Sequence, residues 1–250
     1  MIITFCNHKG GVGKTTSVAN IGGILASKGF RTLLIDLDPQ SNLTSSLYEM
    51  GESEDSIYTA LKSRKDMPII ELMDNMHLAP SSLDLSGIEI EISGQIGRER
   101  ALAELIEPIK NNYDFILIDC APSLGLLLIN ALTTTDKVYI PLTAETLPYR
   151  GLVSLENVIA QVKQYLNNKI EIGGIFFTRW NGRNLNKQVE EVARETYGDL
   201  ILTSKVRENI SIAEAPTCRL YITAYSPGSN GAKDYTDLAK EILKRENIDL

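Results

Sequence analysis

Two lysines, three glycines and two threonines lie within eight residues near the N-terminus of this 250-residue chain. The segment reads Lys9-Gly10-Gly11-Val12-Gly13-Lys14-Thr15-Thr16. Glycines allow backbone N–H groups to converge on phosphate oxygens, and the start of a helix adds unpaired N–H donors with a positive partial charge. The pattern therefore predicts a phosphate-binding loop in which Lys14 contacts the β- and γ-phosphates and the Thr15 hydroxyl is a ligand of Mg²⁺.

Two acidic residues follow apolar runs further along the chain. Asp38 ends the segment Ile35-Asp36-Leu37-Asp38, and Asp119 follows Phe115-Ile116-Leu117-Ile118. An Asp at the carboxyl end of a buried parallel strand lies beside the ligand crevice of an open α/β sheet. We therefore expect both carboxylates to share the site with the phosphate loop, and Asp119 to position Mg²⁺ directly or through water.

Short apolar runs alternate with helical patterns, which indicates a parallel sheet covered by helices. The predicted strands are 2–6, 32–35, 76–80, 115–118, 137–142 and 170–178. The predicted helices are 15–28, two short ones between 42 and 64, 97–111, 123–132, 152–166, 186–197 and 232–244. Because no linker or repeat interrupts this alternation, we predict one α/β domain over residues 1–250, with a mostly parallel twisted sheet flanked by helices on both faces.

The composition favours a globular protein, because 43% of the residues are hydrophobic and 23% are charged. No apolar run is long enough to span a bilayer, and the start of the chain lacks the basic region of a signal peptide. The three cysteines are widely spaced, which indicates reduced thiols. We therefore expect a cytoplasmic protein with no membrane partner.

The net charge of −7 is unevenly distributed along the chain. Residues 150–250 carry 14 Lys and Arg against 13 Asp and Glu, so the acidic excess lies in the remainder. A polyanion would therefore meet the C-terminal part more readily.

The phosphate loop departs from the standard pattern, because the usual first glycine falls at His8 and a second lysine, Lys9, stands at the loop entrance. The resulting Lys-Gly-Gly-x-Gly-Lys-Thr resembles the deviant Walker A motif of the ParA and MinD partition ATPases. Further segments similar to ParA proteins are Asp119-Cys120-Ala121-Pro122-Ser123-Leu124-Gly125, Ile129-Asn130-Ala131-Leu132, Gln188-Val189, Glu214-Ala215-Pro216 and Gly231-Ala232. The chain most resembles the short ParA proteins of the Soj group, which lack an N-terminal helix-turn-helix domain.

This resemblance implies a P-loop fold, the cofactors ATP and Mg²⁺, and a homodimer that closes over two ATP molecules. By resemblance, Lys9 reaches the nucleotide of the second copy, Thr16 contacts the α-phosphate, Asp38 orients the attacking water and Asp36 is structural. A second cation offsets phosphate charge in such a dimer. In the family the dimer binds DNA nonspecifically, and a ParB-like partner stimulates slow hydrolysis to move a plasmid, chromosome region, mobile element or other cargo. Such a protein associates with the nucleoid.

The chain differs from the Soj pattern in the segment 206–213. The family's proline and asparagine near the nucleotide base fall on Arg207 and Asn209, which makes these two residues candidate ATP contacts. The family's basic residues here and downstream fall on Glu208, Ser211, Gly228 and Asn230. The remaining candidate DNA contacts are Arg183, Lys187, Lys205, Arg207 and Lys233. Fewer phosphate contacts predict weaker nonspecific DNA binding.

A second class of function uses the same loop. An ATP-dependent synthetase or protein-maturation ATPase would couple turnover to a small molecule or to a client protein. The two classes are distinguished by whether DNA or a metabolite changes the rate of ATP turnover.

Overall fold

The computed structural model describes residues 1–51, 55–144 and 149–248. Within them, eight strands form one sheet: β1 (Ile2–Phe5), β2 (Thr32–Leu37), β3 (Ile70–Met73), β4 (Met76–Ala79), β5 (Phe115–Cys120), β6 (Lys137–Thr143), β7 (Glu171–Trp180) and β8 (Ile201–Arg207). The strand order is β3-β4-β2-β5-β1-β6-β7-β8, and every neighbouring pair is parallel except β3 and β4. The predicted α/β fold with a mostly parallel sheet is confirmed.

Helices cover both faces of this sheet. Those described are α1 (Lys14–Ser27), α2 (Asn42–Leu47), α3 (Ile57–Ser63), α4 (Ile88–Glu91), α5 (Ala101–Ile106), α6 (Leu126–Thr134), α7 (Tyr149–Tyr165), α8 (Asn184–Tyr197), α9 (Ile210–Glu214), α10 (Ile222–Tyr225) and α11 (Asn230–Arg245). Buried side chains of α1, α2, α10 and α11 pack on one face, and those of α3 to α8 pack on the other. The central strands β1, β2 and β5 are buried along their whole length because both faces are covered.

Some predicted elements differ from those observed. The strands β3 and β8 are not predicted, because both lie at the edges of the sheet and are only partly apolar. The predicted helix 97–111 is wrong in length, since α5 ends at Ile106 before Pro108, and only short 3₁₀ turns flank it. The predicted one-domain range includes residues 52–54, 145–148 and 249–250, which lie outside the described residues.

The parallel strands end at one edge of the sheet, and this edge positions the predicted site. The phosphate loop follows β1, Asp38 follows β2 and Asp119 lies in β5. In the described part of the chain, no helix is both long and apolar enough to cross a membrane.

Candidate functional site

The phosphate loop connects β1 directly to α1. Gly11 and Gly13 have φ angles of +71° and +85°, a backbone conformation that glycine adopts at low cost. Helix α1 begins immediately after Gly13, and no side chain caps its first turn. The N–H groups of this turn therefore face the loop with a positive partial charge, as an anion site requires.

Side chains from neighbouring strands hold the loop in place. The Asn7 amide donates to the Pro141 carbonyl at 2.7 Å, and its oxygen accepts from the Lys9 backbone N–H at 2.9 Å. The Thr178 hydroxyl donates to the Val12 carbonyl at 2.8 Å. Sequence reasoning missed Asn7 and Thr178. The available signal was their position, since each is polar and lies at or just beyond the carboxyl half of an apolar strand.

The two lysines of the loop have different environments. The Lys14 residue is only 6% exposed, and its Nζ donates to the Lys9 carbonyl at 3.3 Å. The Lys9 residue is exposed, and its Nζ donates to the Thr143 hydroxyl at the end of β6, at 3.1 Å. The Lys14 ammonium thus lies inside the loop, whereas the Lys9 ammonium lies along the neighbouring strand of its own chain.

Asp36 and Asp38 are joined by a hydrogen-bond network. One oxygen of Asp36 accepts from the Thr44 N–H at 2.8 Å and the Thr44 hydroxyl at 2.7 Å, and the other accepts from the Asp38 N–H at 3.0 Å. The Ser81 hydroxyl donates to the Asp38 carbonyl at 2.8 Å. The Asp38 carboxylate itself accepts from the Gln40 N–H at 2.9 Å. Asp36 therefore fixes the backbone that presents Asp38, as a structural residue does.

Asp119 is the register partner of Asp36 on the adjacent strand and is fully buried. Among the described residues, its two carboxylate oxygens are the buried side-chain polar atoms without a hydrogen-bond partner. Burial raises the pKa of Asp119 well above its usual value and Asp36 raises it further, while Thr15 and Lys14 oppose these effects. The Thr15 hydroxyl lies close enough to lower the pKa of this carboxylate, although no hydrogen bond of normal geometry joins the two groups.

This donor set fits a hard divalent cation. Two unpaired carboxylate oxygens and a nearby hydroxyl are the kind of ligands that Mg²⁺ takes, together with water and phosphate oxygens. A buried carboxylate without a partner is costly in the apo protein, so an added cation would relieve the cost. Asp119 and Thr15 are thus the residues that could hold Mg²⁺.

A cleft of about 1160 Å³ extends from the phosphate loop to the segment after β8. The predicted site residues that line it are Gly10, Gly11, Gly13, Lys14, Thr15, Thr16, Asp38, Arg207 and Asn209. Two other predicted site residues, Val12 and Asp119, are buried and are not among the residues that line the cleft. The structure therefore brings phosphate-loop, carboxylate and base-site candidates to one place.

The two candidate base contacts are held by their own chain. The Arg207 guanidinium donates to the Asp234 carboxylate at 2.6 and 2.9 Å, and the Arg207 N–H donates to it at 3.0 Å. The Asn209 side chain caps α9 by accepting from the Ser211 N–H at 2.9 Å. Asn209 lines the cleft, and its amide NH₂ is a group that can donate a hydrogen bond.

The candidate DNA contacts divide into two groups. Lys205 pairs with Glu190 at 2.7 Å and lies over the Trp180 ring, while Arg207 pairs with Asp234. The other three are exposed, and no ion pair to them is found within the described residues: Arg183, Lys187 and Lys233. Glu208 is also exposed, and its N–H donates to the Trp180 carbonyl at 3.2 Å.

Comparisons with known proteins agree with this geometry. A family model described as an AAA domain matches residues 1–172. The chain is 41% identical to the sporulation initiation inhibitor protein Soj of Bacillus subtilis, over 96% of this chain and 97% of Soj. The chain belongs to the ParA/MinD-type family of P-loop ATPases.

Solved structures show the same fold with nucleotide. The cobyrinic acid a,c-diamide synthase of Mycobacterium smegmatis, with bound ADP and magnesium, has a TM-score of 0.85 and 30% identity, covering 98% of this chain and 95% of that one. A candidate plasmid partition protein of Borrelia burgdorferi bound to AMPPNP has a TM-score of 0.79 and 28% identity, covering 98% and 97%. The solved structures that resemble this chain thus include a synthase and a candidate partition protein.

Proposed function

We propose that this ParA-type chain is a cytoplasmic partition ATPase of one domain, whose ATP-bound homodimer binds DNA nonspecifically. A ParB-like partner stimulates slow hydrolysis of ATP to ADP and phosphate, which separates the dimer and releases the DNA. Repetition of this cycle positions a plasmid, chromosome region, mobile element or other cargo. The observation that carries the proposal is the lysine at the entrance of the phosphate loop, in a chain similar to Soj over nearly the whole of both lengths.

Each residue of the site has a role in this proposal. Lys14 binds the β- and γ-phosphates from inside the loop, and Thr16 contacts the α-phosphate. Asp38 orients the attacking water, held in place by its backbone bonds to Asp36 and Ser81. Mg²⁺, when bound by Thr15 and Asp119, supplies positive charge against the phosphate oxygens.

Lys9 acts across the dimer in this proposal. Its ammonium leaves Thr143 and reaches the nucleotide of the second copy, where it offsets phosphate charge. Exchange of the Thr143 hydroxyl for a phosphate anion favours the dimer when triphosphate is present, because a charge-assisted contact is stronger than a neutral one.

DNA binding in the proposal relies on the exposed basic residues Arg183, Lys187 and Lys233. Lys205 and Arg207 already interact with carboxylates, so they contribute less to a phosphate surface. Substituting Glu208 by arginine is expected to strengthen DNA retention at moderate salt. No change in retention would place the DNA surface elsewhere.

The proposal is tested by molar mass in solution with a nonhydrolysable ATP analogue, with ADP and without nucleotide. A dimer with the analogue alone supports it, and Asp38→Ala is expected to retain ATP and accumulate as a dimer. Lys14→Ala is expected to abolish tight ATP binding. A wild-type chain that binds the analogue and stays monomeric at every concentration contradicts the proposal.

A second candidate function is an ATP-dependent synthetase or protein-maturation ATPase. The similarity to the M. smegmatis diamide synthase, at 30% identity over nearly the whole chain, favours it. To decide between the partition ATPase and the synthetase, ATP turnover is measured with DNA. It is measured separately with candidate carboxylic acid substrates and an amide nitrogen donor. A rate that rises only with a small molecule supports the synthetase.

A further inference from the structure

The two ends of the cleft differ in chemistry. At one end the phosphate loop offers the Lys14 ammonium and the N–H groups of the first turn of α1, which suit a triphosphate. Apolar side chains line the other end, after β8: Ile210, Ile212, Ala213, Ala215, Pro216 and Leu220. A nucleotide whose phosphates occupy the loop would extend its base toward this apolar end, where Arg207 also lines the cleft.

Asp234 holds Arg207 through three donors. The Arg207 backbone N–H donates to the carboxylate at 3.0 Å, Nε at 2.9 Å and Nη2 at 2.6 Å. The Asp234 side chain is 8% exposed, whereas the Arg207 side chain is 43% exposed. A bidentate pair with a buried carboxylate fixes the plane of the guanidinium. The pair uses Nε and Nη2, so it leaves Nη1 and the flat faces of the guanidinium for other contacts.

The helix that carries Asp234 is itself closely packed. A Cβ atom at Gly231, near the start of α11, would approach the Ile212 side chain on α9 to 2.7 Å. Tyr235 is buried, and its hydroxyl lies 3.4 Å from the Ser17 hydroxyl on α1. Because both α9 and α1 line the cleft, the Asp234 carboxylate is presented by a helix that is packed against two of the cleft's walls.

We propose that the Arg207 guanidinium stacks on the purine base of ATP, and that Asp234 is the positioning residue that holds its plane. A guanidinium stacks readily on aromatic ring faces, and one that is fixed before binding loses little conformational entropy on contact. A purine offers a larger face than a pyrimidine, so the contact favours ATP over CTP. The inference deepens the proposed function and rests on it, because it concerns how the nucleotide is bound.

Two other roles of Arg207 fit its contacts less well. A phosphate of the nucleotide would compete with Asp234 for the same positive charge, and Lys14 already lies inside the phosphate loop. A DNA phosphate would meet the same competition, since the carboxylate offsets the charge of the guanidinium. Stacking uses the faces of the guanidinium, which its in-plane hydrogen bonds to Asp234 do not occupy.

A second arginine forms the same pair away from the cleft and supplies a matched control. Arg31 donates to the Asp114 carboxylate from its backbone N–H at 2.8 Å, from Nε at 3.3 Å and from Nη2 at 3.0 Å. Arg31 lies just before β2, at the edge of the sheet opposite the phosphate loop, and neither residue lines the cleft. Arg31→Lys and Asp114→Asn therefore change an ion pair of the same geometry without changing the cleft.

The test measures affinity for ATP, CTP and inorganic tripolyphosphate by competition against a fluorescent ATP analogue. The proteins are wild type, Arg207→Lys, Asp234→Asn and the two control variants at Arg31 and Asp114. Lysine at position 207 keeps the charge and removes the planar group, whereas Asp234→Asn keeps the arginine and weakens its hold. Thermal unfolding is measured for every protein, so that a loss of fold is distinguished from a loss of binding.

Wild type is expected to bind ATP more tightly than CTP. Arg207→Lys should weaken ATP binding about fivefold and Asp234→Asn about threefold, with most of the preference for ATP over CTP lost in both. Affinity for tripolyphosphate should stay within about twofold of wild type, because the loop is unchanged. The control variants should bind all three ligands as wild type does.

Unchanged ATP affinity in Arg207→Lys would overturn the inference, as would an equal loss in Arg31→Lys. An equal loss of ATP and tripolyphosphate would show that the guanidinium contacts a phosphate. Unchanged nucleotide binding with weaker retention on duplex DNA would assign Arg207 to a DNA surface. Wild-type ATP affinity in a folded Asp234→Asn would overturn the positioning role. If Asp234→Asn unfolds, Arg207→Lys still decides, because its side chain is partly exposed.

Two outcomes separate this inference from the proposed function. If wild type prefers ATP through Arg207 but stays monomeric with the nonhydrolysable analogue, the stacking contact stands and the partition function is lost. If wild type dimerises with the analogue and Arg207→Lys binds ATP equally well, the proposed function stands and only the stacking contact is lost.

Discussion

Asp36 and Asp119 are neighbours in register on adjacent strands, both fully buried, yet their surroundings are opposite. The carboxylate of Asp36 accepts three hydrogen bonds from its own chain. The carboxylate of Asp119 accepts none from the described residues. Burial raises the pKa of both, to about 6 for Asp36 and well above the usual value for Asp119.

The difference indicates that the Asp36 carboxylate holds the site together, whereas the Asp119 carboxylate lacks a partner until a ligand binds. Native proteins rarely leave a buried charged group without a partner, because the cost of desolvation is large. Asp36 recovers that cost within the fold by holding Thr44 and Asp38. Asp119 is opposed only in part by Thr15 and Lys14, and a proton or a cation brought to the cleft would offset the remaining cost, which suits a residue that responds to bound nucleotide.

The largest expected effect comes from Asp119→Asn. ATP turnover in the presence of Mg²⁺ should fall about 10³-fold, or about 4 kcal/mol in the activation barrier, because the cation loses its buried anionic ligand. The nucleotide-free protein should be as stable as wild type or more so, since a neutral amide is cheaper to bury than an unpaired carboxylate. Steady-state turnover and urea unfolding check the two parts. Unfolding at markedly lower urea would show that Asp119 is structural like Asp36.

Substitution of Thr44 is expected to lower the stability of the protein, in contrast to Asp119→Asn. Thr44→Val removes the hydroxyl that donates to Asp36 and accepts from Ser81, and should lower the free energy of unfolding by about 2 kcal/mol. Thr236→Val is the matched control, because its hydroxyl donates to the Ala232 carbonyl within α11, a contact local to one helix. Chemical denaturation of both variants measures the difference. Equal losses would mean that the network around Asp36 contributes no more than a local helix contact.

The pH dependence of the free energy of unfolding, measured with divalent cations chelated, also tests the difference between Asp36 and Asp119. A carboxyl whose pKa is higher in the folded state stabilises the protein below its unfolded pKa, near 3.9, and loses this contribution as the pH rises through the folded pKa. Asp36 loses its contribution by about pH 6, and Asp119 continues to lose stability at higher pH. Wild type should therefore lose more stability than Asp119→Asn between pH 5 and about 8, as measured by urea unfolding at several pH values. Parallel curves would contradict the raised pKa of Asp119.

The smallest expected effect concerns two candidate DNA contacts, Lys187 and Lys205, of which Lys205 is held in an ion pair. Lys187→Ala should weaken DNA binding about threefold and reduce the magnitude of the salt slope by about one, because its charge is available to phosphate. Lys205→Ala should change DNA binding less, since Glu190 and the Trp180 ring already hold its ammonium. The two variants are compared by measuring their affinity for duplex DNA at several salt concentrations. A larger loss for Lys205→Ala would show that the ion pair opens on DNA.

Much of the fold followed from the sequence because its central strands are apolar on both faces. The phosphate loop was predictable for a similar reason, since Gly11, Gly13 and Lys14 act through local backbone geometry. The edge strand β8 was missed because it is only partly apolar, and two of its backbone N–H groups, those of Thr203 and Ser204, donate to Glu241 on α11.

The partners of charged residues were not predictable from local pattern. Asp36 and Asp119 follow similar apolar runs, and the hydrogen bonds that Thr44 donates to Asp36 are a tertiary feature that these runs do not indicate. Likewise, Lys205 was predicted as a DNA contact, and its ion pair with Glu190 depends on α8 packing beside β8. Such pairings are set by tertiary contacts between residues distant in sequence.

The most direct test of the central claim is the affinity for a fluorescent ATP analogue with and without Mg²⁺, in wild type and in Asp119→Asn. We predict that Mg²⁺ tightens binding about tenfold or more in wild type and less than about twofold in the variant. An equal gain in both proteins would show that the unpaired carboxylate of Asp119 does not serve the cation, and would contradict this account of the site.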